Sequence, residues 1–134
     1  MQDRPSLEQL LKAVSGFLGT LDDTFPGGSR KIMSSQQMFH ARVAGNVMAL
    51  VRREMELAPA LDLRERTRLL TLLALDDTHQ DLFELNKIFA QRIASGALTL
   101  QMPLVRTHLI ETTLGKLSID QPNYAGFRRA SRDL

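Results

Sequence analysis

Apolar residues recur along the chain at intervals of three and four, the spacing of an α-helix, and no alternating strand pattern competes with them. The first set predicts a helix that opens at a Ser6/Gln9 capping box after Pro5. Its apolar positions are Leu7, Leu10, Leu11, Val14, Phe17, Leu18 and Leu21. The pattern breaks at 25–29, where two glycines and a proline predict a mobile loop.

Four further helices follow from the same spacing, each bounded by a capping, glycine or proline signal. The second predicted helix runs from about Ser35 to Leu57 and ends before Pro59, and the third begins at an Asp62/Glu65 capping box and continues to Leu75. The fourth runs from about Leu82 and is stopped by Gly96, and the fifth runs from Pro103 to Asp120, before Pro122. Five amphipathic helices with short connections predict an all-α fold, a mostly antiparallel bundle.

The length of the chain bounds its organisation. A chain of 134 residues fits one domain, so we expect residues 1–134 to form a single helical domain. We expect an irregular tail over about 121–134, where Tyr124 and Phe127 either dock back on the bundle or reach toward a partner.

The composition is that of an ordinary globular protein, with 43% hydrophobic and 24% charged residues. Cysteine is absent, which excludes disulfides, thiolate metal ligands and cysteine nucleophiles and suits a reducing compartment. The first residues lack the apolar region of a signal peptide, and no apolar run approaches the roughly 20 residues of a membrane helix. We therefore expect a soluble, cytoplasmic bacterial protein.

The charge balance argues against nucleic acid as the main partner. Seventeen Lys and Arg face fifteen Asp and Glu, a formal net charge of +2 with the signs interleaved. The one local excess is Arg128, Arg129 and Arg132 in the tail. Neither a basic recognition helix nor a clear helix-turn-helix is present, so a helical nucleic-acid-binding regulator is the least favoured class.

No catalytic motif is visible. No glycine-rich phosphate loop follows a strand, and no serine has the surroundings of a nucleophile elbow. The three histidines, His40, His79 and His108, lack the spacing of metal ligands. We therefore predict a non-catalytic protein with neither a metal site nor a cofactor.

The long helix carries two sets of candidate residues. At about 100° per residue, His40 and Glu54 fall within about 40° of each other on an otherwise apolar face. They could form a structural polar network, contact a ligand or partner, or act as acid and base in an open pocket. Arg42, Asn46 and Arg53 share a different face. That stripe can grip carboxylate or phosphate, or be an ordinary solvated face.

Further candidates lie near the C-terminus and among the methionines. Thr113 can donate to a backbone carbonyl one turn earlier, and Lys116 and Asp120 form an i,i+4 pair. Tyr124 is a candidate contact in the tail. Met33, Met38, Met48 and Met55 lie on or near the long helix, where core packing is favoured over an interface.

Several segments together resemble a family of short bacterial proteins of unknown function, typically encoded beside aminoglycoside-phosphotransferase-like kinases and acyl-CoA dehydrogenases. The matching segments are Arg4-Pro5 with Leu10-Leu11-x-Ala13-Val14-x-x-Phe17-Leu18, Phe39-His40-x-Arg42-Val43-Ala44-x-Asn46, Arg53-Glu54-x-Glu56-Leu57-x-Pro59, and Thr113-x-x-Lys116-Leu117-x-Ile119-Asp120-x-Pro122-x-Tyr124. The sequence departs from the family pattern at Ala58, where glycine is common, and at Phe127, where a second tyrosine is usual.

The resemblance implies a partner. In at least part of that family, the small protein acts with the neighbouring kinase, which phosphorylates hydroxyacyl-CoA thioesters. The leading hypothesis is therefore an accessory or activating subunit of such a kinase. A small-molecule or acyl-CoA binding module is the alternative, and an enzyme using His40 and Glu54 comes after it. Self-association is compatible with a bundle of this size.

Overall fold

The computed structural model describes residues 5–22, 34–76 and 80–132, and the mobile loop predicted at 25–29 lies outside them. The described residues form five helices and no strand, which confirms the all-α prediction. The helices are α1 (Leu7–Asp22), α2 (Ser35–Leu73), α3 (Leu82–Ala94), α4 (Pro103–Asp120) and α5 (Ala125–Ala130). The chain divides into two compact units, unit 1 (Met1–Glu56) and unit 2 (Leu57–Leu134).

Short-range capping sets the helix starts. At α1, the Ser6 amide donates to Gln9 Oε1 at 2.9 Å and the Gln9 amide donates to Ser6 Oγ at 3.3 Å, which confirms the predicted capping box. Ser34 and Gln37 form the same reciprocal pair before α2. The α3 cap is Asp81, and α4 starts with Pro103 in its first turn as predicted.

Pro59 does not end the second helix. α2 continues to Leu73 with Pro59 in its interior, so the predicted helix end and the Asp62/Glu65 capping box are wrong. An interior proline cannot donate to the carbonyl four residues back and costs about 3 kcal/mol. The helix nevertheless continues, because helix-forming residues flank the proline and because Leu69 and Leu73, further along, are fully buried in unit 2.

α2 and α3 both end on residues with positive φ. Gly96 follows α3 with a φ of 76°, in the role predicted for it. Ala74 follows α2 with a φ of 50°, and the Leu75 amide donates to the Leu70 carbonyl at 3.0 Å, the closing bond of a Schellman motif. Glycine is the residue that usually takes this left-handed position, because a Cβ is crowded there.

Replacing Ala74 with glycine should therefore stabilise unit 2. We expect the Ala74→Gly variant to raise the free energy of unfolding by about 0.5–1 kcal/mol, measured from urea unfolding curves. Ala90→Gly is the matched control, since Ala90 is exposed in the middle of α3 and should lose about 1 kcal/mol. A74G and A90G lowering the midpoint alike would contradict the strain at Ala74.

The described residues of unit 1 form a pair of antiparallel helices, α1 and the first part of α2. Phe17 near the end of α1 contacts His40 near the start of α2, whereas Leu11, earlier in α1, shares a groove with Met48 later in α2. Later residues of α1 therefore lie beside earlier residues of α2, as in an antiparallel pair. Val14, Ala44 and Val51 are buried in this unit.

Unit 2 holds the main core. Leu69 and Leu73 of α2, Leu85 and Phe89 of α3, and Val105 of α4 form one buried cluster. α4 runs antiparallel to the end of α2. Gly115 allows the close approach of these two helices, since a Cβ there would lie 3.1 Å from Leu61 Cδ2.

The tail expected to be irregular contains the short helix α5. α5 follows Tyr124, which is about half exposed, and its residues contact α4. A Cβ at Gly126 would lie 2.5 Å from the Tyr124 ring, so only glycine lets the ring take this place.

Candidate functional site

The first candidate site is an apolar groove of unit 1, which we call the Phe17–His40 groove. It has a volume of about 290 Å³ and is lined by Ala13, Val14, Phe17, His40, Val43, Ala44 and Val47. The His40 ring meets the Phe17 ring edge-on, with centroids 5.7 Å apart and planes at 84°. The groove is thus an apolar channel with one imidazole in its wall.

His40 and Glu54 do not form a joint site. Both lie on the continuous helix α2, fourteen positions apart, which separates them by about 21 Å along the axis. His40 is exposed in the wall of the groove, whereas Glu54 is 5% exposed. The two side chains share a face of α2 but are too far apart to act together as acid and base on one substrate.

The predicted recognition stripe lies along α2 in unit 1. Arg42 and Asn46 are exposed one turn apart, and Arg53, two turns further on, is half-buried. The stripe therefore exists as a partly solvated polar face. Its use in recognition stays a prediction.

The second apolar surface of unit 1 we call the Met48–Met55 face. A groove of about 630 Å³ there is lined by Leu11, Met48, Ala49, Val51, Arg52, Met55 and Glu56. At about 100° per residue, Leu11 and Phe17 lie about 60° to either side of the buried Val14, so the two grooves flank the α1–α2 contact. The preference for core packing was wrong at Met38, Met48 and Met55, which are exposed; Met33 lies outside the described residues.

The polar network of unit 2 was not predicted. Arg68 of α2 pairs through Nη1 with Glu111 Oε2 of α4 at 2.8 Å and donates through Nη2 to Thr112 Oγ1 at 3.2 Å. The Asn86 amide of α3 donates to the buried Glu65 carboxylate at 2.8 Å. The three helices are thus joined by charge-assisted hydrogen bonds as well as by apolar contacts.

His108 of α4 lies in the same region and is buried. Its ring meets the edge of Phe89 at a centroid distance of 4.9 Å, and its Nδ1 has no hydrogen-bond partner among the described residues. Burial lowers the pKa of His108, and the Arg68 charge lowers it further, while Glu65 and Glu111 partly oppose both. The structure therefore favours the neutral imidazole.

The lowered pKa makes stability depend on pH. Below about pH 6.5 the unfolded chain binds a proton at His108 that the folded chain resists, so the free energy of unfolding should decrease as the pH falls. Urea unfolding at pH 7.5 and 5.5 measures the difference. In the His108→Gln variant that difference should be smaller, whatever the variant's stability at pH 7.5. An unchanged difference would show that other groups cause the acid sensitivity.

A cleft of about 330 Å³ lies between α2 and α4, beside the Arg68–Glu111 pair. Thr67, Thr71 and Thr107 line it with Leu72 and Leu104. Thr67 and Thr71 donate to backbone carbonyls one turn earlier, so two of the three hydroxyls already have partners. The cleft is therefore an ordinary helix–helix groove over an internal ion pair.

The C-terminal candidates do not converge on one point. Thr113 Oγ1 donates to the Leu109 carbonyl at 2.7 Å, as predicted. Lys116 and Asp120 are exposed one turn apart on α4, and Tyr124 precedes α5. Within the described ranges, no group of three His, Cys, Asp or Glu side chains could hold a metal ion.

The comparison with protein families decides the affiliation of the chain. The sequence profile described as a domain of unknown function (DUF6285) matches residues 31–124, more than half of the chain. The chain belongs to the DUF6285 family. The DUF6285 match covers the whole core of unit 2. Of the residues that line the Phe17–His40 groove, it covers those on α2 and not those on α1. Searches of curated proteins and of solved structures give no match.

DUF6285 membership confirms the expected family of unknown function, while the kinase and dehydrogenase neighbours stay a prediction. Where the structure describes this DUF6285 protein, no helix has the length and apolar character to cross a membrane.

Proposed function

We propose that this protein is a non-catalytic accessory subunit that docks on a phosphotransferase-like hydroxyacyl-CoA kinase. The observation that carries the proposal is the exposed apolar surface of unit 1. Beside the Phe17–His40 groove, Phe39 is 63% and Val43 is 43% exposed, whereas the other large apolar side chains of unit 1 that are at least 40% exposed lie on other faces, namely Leu11, Leu18, Met38, Met48 and Met55. Apolar surface on this scale marks interaction sites, because leaving it in water is unfavourable.

The Phe17–His40 groove is the proposed docking site for the kinase. It presents Val43 at its rim, and the neighbouring Phe39 is 63% exposed, so both can be buried by a partner helix laid in the groove. His40 adds a polar atom that can orient such a helix. The kinase as partner comes from the family resemblance, and the groove supplies the type of contact.

The test is reconstitution with a phosphotransferase-like kinase from the same organism. We expect the two purified proteins to co-elute, and phosphorylation of a hydroxyacyl-CoA thioester to be faster with this protein than without it. A kinase that is fully active alone and forms no complex would refute the proposal.

Two variants localise the contact. Val43→Glu places a charge in the groove and should weaken kinase binding at least about tenfold, since a buried unpaired charge costs well over the roughly 1.4 kcal/mol that tenfold represents. Met38→Glu is the matched control. Met38 has similar exposure, 46% against 43%, but points about 140° away on α2. Equal losses in both variants would place the contact elsewhere.

The groove also supports a second candidate function, an acyl-CoA binding module. An apolar channel of about 290 Å³ can take part of an acyl chain, and the His40 imidazole in its wall offers one polar contact. Arg42 and Asn46 are exposed on a different face of α2 and could reach only phosphates that lie outside the channel. Calorimetry with a CoA thioester tests it. Saturable binding that Val43→Glu abolishes would favour this function, and no heat at millimolar ligand would exclude it.

A further inference from the structure

We propose that the exposed side of α5 binds a nucleoside phosphate, with the base stacked on the Tyr124 ring and the phosphate held by arginines. We call this side the Tyr124–Arg129 surface, and it consists of Tyr124, Arg128, Arg129 and Arg132. All four residues are exposed, whereas Phe127 and Ala130 on the other side of the short helix are half-buried. The inference goes beyond the proposed function and does not depend on the kinase, since it concerns unit 2 alone.

The Tyr124 ring has a defined place on this surface. It lies over Gly126, where a Cβ would come within 2.5 Å of the ring carbon Cε1. The ring is thus seated against the first turn of α5, while the residue remains 54% exposed. An aromatic ring that is held in place and still meets water is a platform on which a planar base can stack.

The positive charge beside the ring is not compensated. Residues 121–132 include three arginines and no acidic residue. None of the three makes an ion pair with another residue that the structure describes. The helix dipole favours cations at the end of α5, which accounts for Arg128 and Arg129 but gives the exposed ring no role.

Helical spacing brings the ring and the arginines to one side of α5. The Arg128 amide donates to the Tyr124 carbonyl at 3.0 Å, so these two residues are one turn apart. Arg129 is three residues after Gly126, on which the ring rests, and residues three apart are neighbours on a helix surface. A ligand on the ring therefore has a guanidinium group within about one turn.

The two parts of the surface together select the ligand. A guanidinium group binds phosphate through paired hydrogen bonds, and the ring binds a base. Proteins that bind nucleic-acid strands stack successive bases on several aromatic side chains. Phe127, the other aromatic residue of α5, is half-buried, so the surface has one exposed ring and favours a single nucleotide.

Tyrosine fluorescence measures binding at this surface, because Tyr124 is the one tyrosine of the chain and tryptophan is absent. We expect ADP to quench the emission in a saturable way, after correction for its absorption, with a Kd on the order of 1 mM. Adenosine lacks the phosphates and should bind at least about tenfold more weakly. No saturable quenching by ADP, or adenosine binding as tightly as ADP, would overturn the proposal.

Two substitutions test the ring and the charge separately, with ADP binding measured by calorimetry. Tyr124→Leu removes the stacking platform and should weaken binding by about fivefold or more. Arg129→Gln removes a phosphate contact and should weaken binding by about tenfold. Arg106→Gln is the matched control, since Arg106 is exposed on α4 about 21 Å before the helix end at Asp120. Equal losses in R129Q and R106Q would overturn the site, because they would show a general attraction of charge.

Gly126→Ala tests the placement of the ring. The variant keeps Tyr124 and the three arginines, and alanine is a better helix former than glycine, so α5 should persist. The added Cβ displaces the ring, and ADP binding should weaken by about threefold or more with unchanged helical circular dichroism. Unchanged ADP affinity in G126A would contradict the role of the seated ring.

A single-stranded oligoadenylate distinguishes a strand from a free nucleotide as the source of the nucleoside phosphate. At about 0.15 M salt we expect it to bind no more than about tenfold more tightly than ADP, because the surface has one ring. Tighter binding would assign the surface to a nucleic-acid strand and overturn the proposal. Kinase binding by Tyr124→Leu should persist, since the Phe17–His40 groove is unchanged. A variant that loses kinase binding but keeps ADP binding would overturn the assignment of Tyr124 to the nucleotide.

Discussion

Leu69→Ala should lower the free energy of unfolding by about 2–5 kcal/mol, the largest effect we expect from one substitution in unit 2. Leu69 is 0% exposed and belongs to the cluster shared by α2, α3 and α4. Removing its side chain loses the transfer free energy of three carbons and leaves a cavity that the packed neighbours fill only partly. With total stabilities of about 5–15 kcal/mol, such a loss is a large fraction of the whole.

Leu63→Ala is the matched control for this prediction. Leu63 lies on the same helix, has the same side chain and is 66% exposed. The substitution removes the same atoms without opening a cavity and should change the free energy of unfolding by no more than about 0.5 kcal/mol. Urea unfolding followed by circular dichroism measures both variants. Equal losses would mean that Leu69 is not in a packed core.

Gly115→Leu should also destabilise unit 2, by about 1–3 kcal/mol. The position is buried, and the first added carbon would already lie 3.1 Å from Leu61 Cδ2. Leucine is favoured over glycine in a helix by up to about 1 kcal/mol, which offsets only part of the overpacking. The helices α2 and α4 must separate or Leu61 must leave its rotamer, and both changes reduce packing.

Gly45→Leu tests whether the effect comes from packing or from the helix. Gly45 is exposed on α2, and a Cβ there would have no neighbour within 4 Å. The same substitution should therefore stabilise the chain slightly, by up to about 1 kcal/mol, so the two variants should shift the melting temperature in opposite directions. A shift of the same sign in both would contradict the close approach at Gly115.

Signals within one helical turn predicted most helix starts and ends correctly, although Asp62 and Glu65, which have the spacing of a capping box, lie inside α2. Ser6 with Gln9, Gly96 after α3, and Pro103 at the start of α4 act as expected, because each depends on backbone groups three or four residues away. Pro59 was misleading for the opposite reason. Its cost is local, whereas the burial of Leu69 and Leu73 that favours continuing the helix involves other segments.

The sites depended on long-range contacts and were predicted less well. His40 and Glu54 were expected to share a face of one helix, but azimuth says nothing about distance along the axis, and fourteen residues of helix separate them by about 21 Å. The network of Arg68, Glu111 and His108 had a detectable signal, since His108 interrupts the stripe of Val105 and Ile119 on α4. The sequence pattern could not show which residues of α2 and α3 would lie next to His108.

The sequence by itself determined that this protein is helical, where most helices begin and end, and which family it belongs to, because periodicity, capping and motifs are properties of neighbouring residues. Tertiary structure decided which apolar residues are core and which are surface. Leu69 and Leu63 are both leucines of one helix, yet the first is buried and the second exposed. Met48 and Met55 are likewise exposed although they are apolar, because burial depends on how separate helices pack and not on residue type alone.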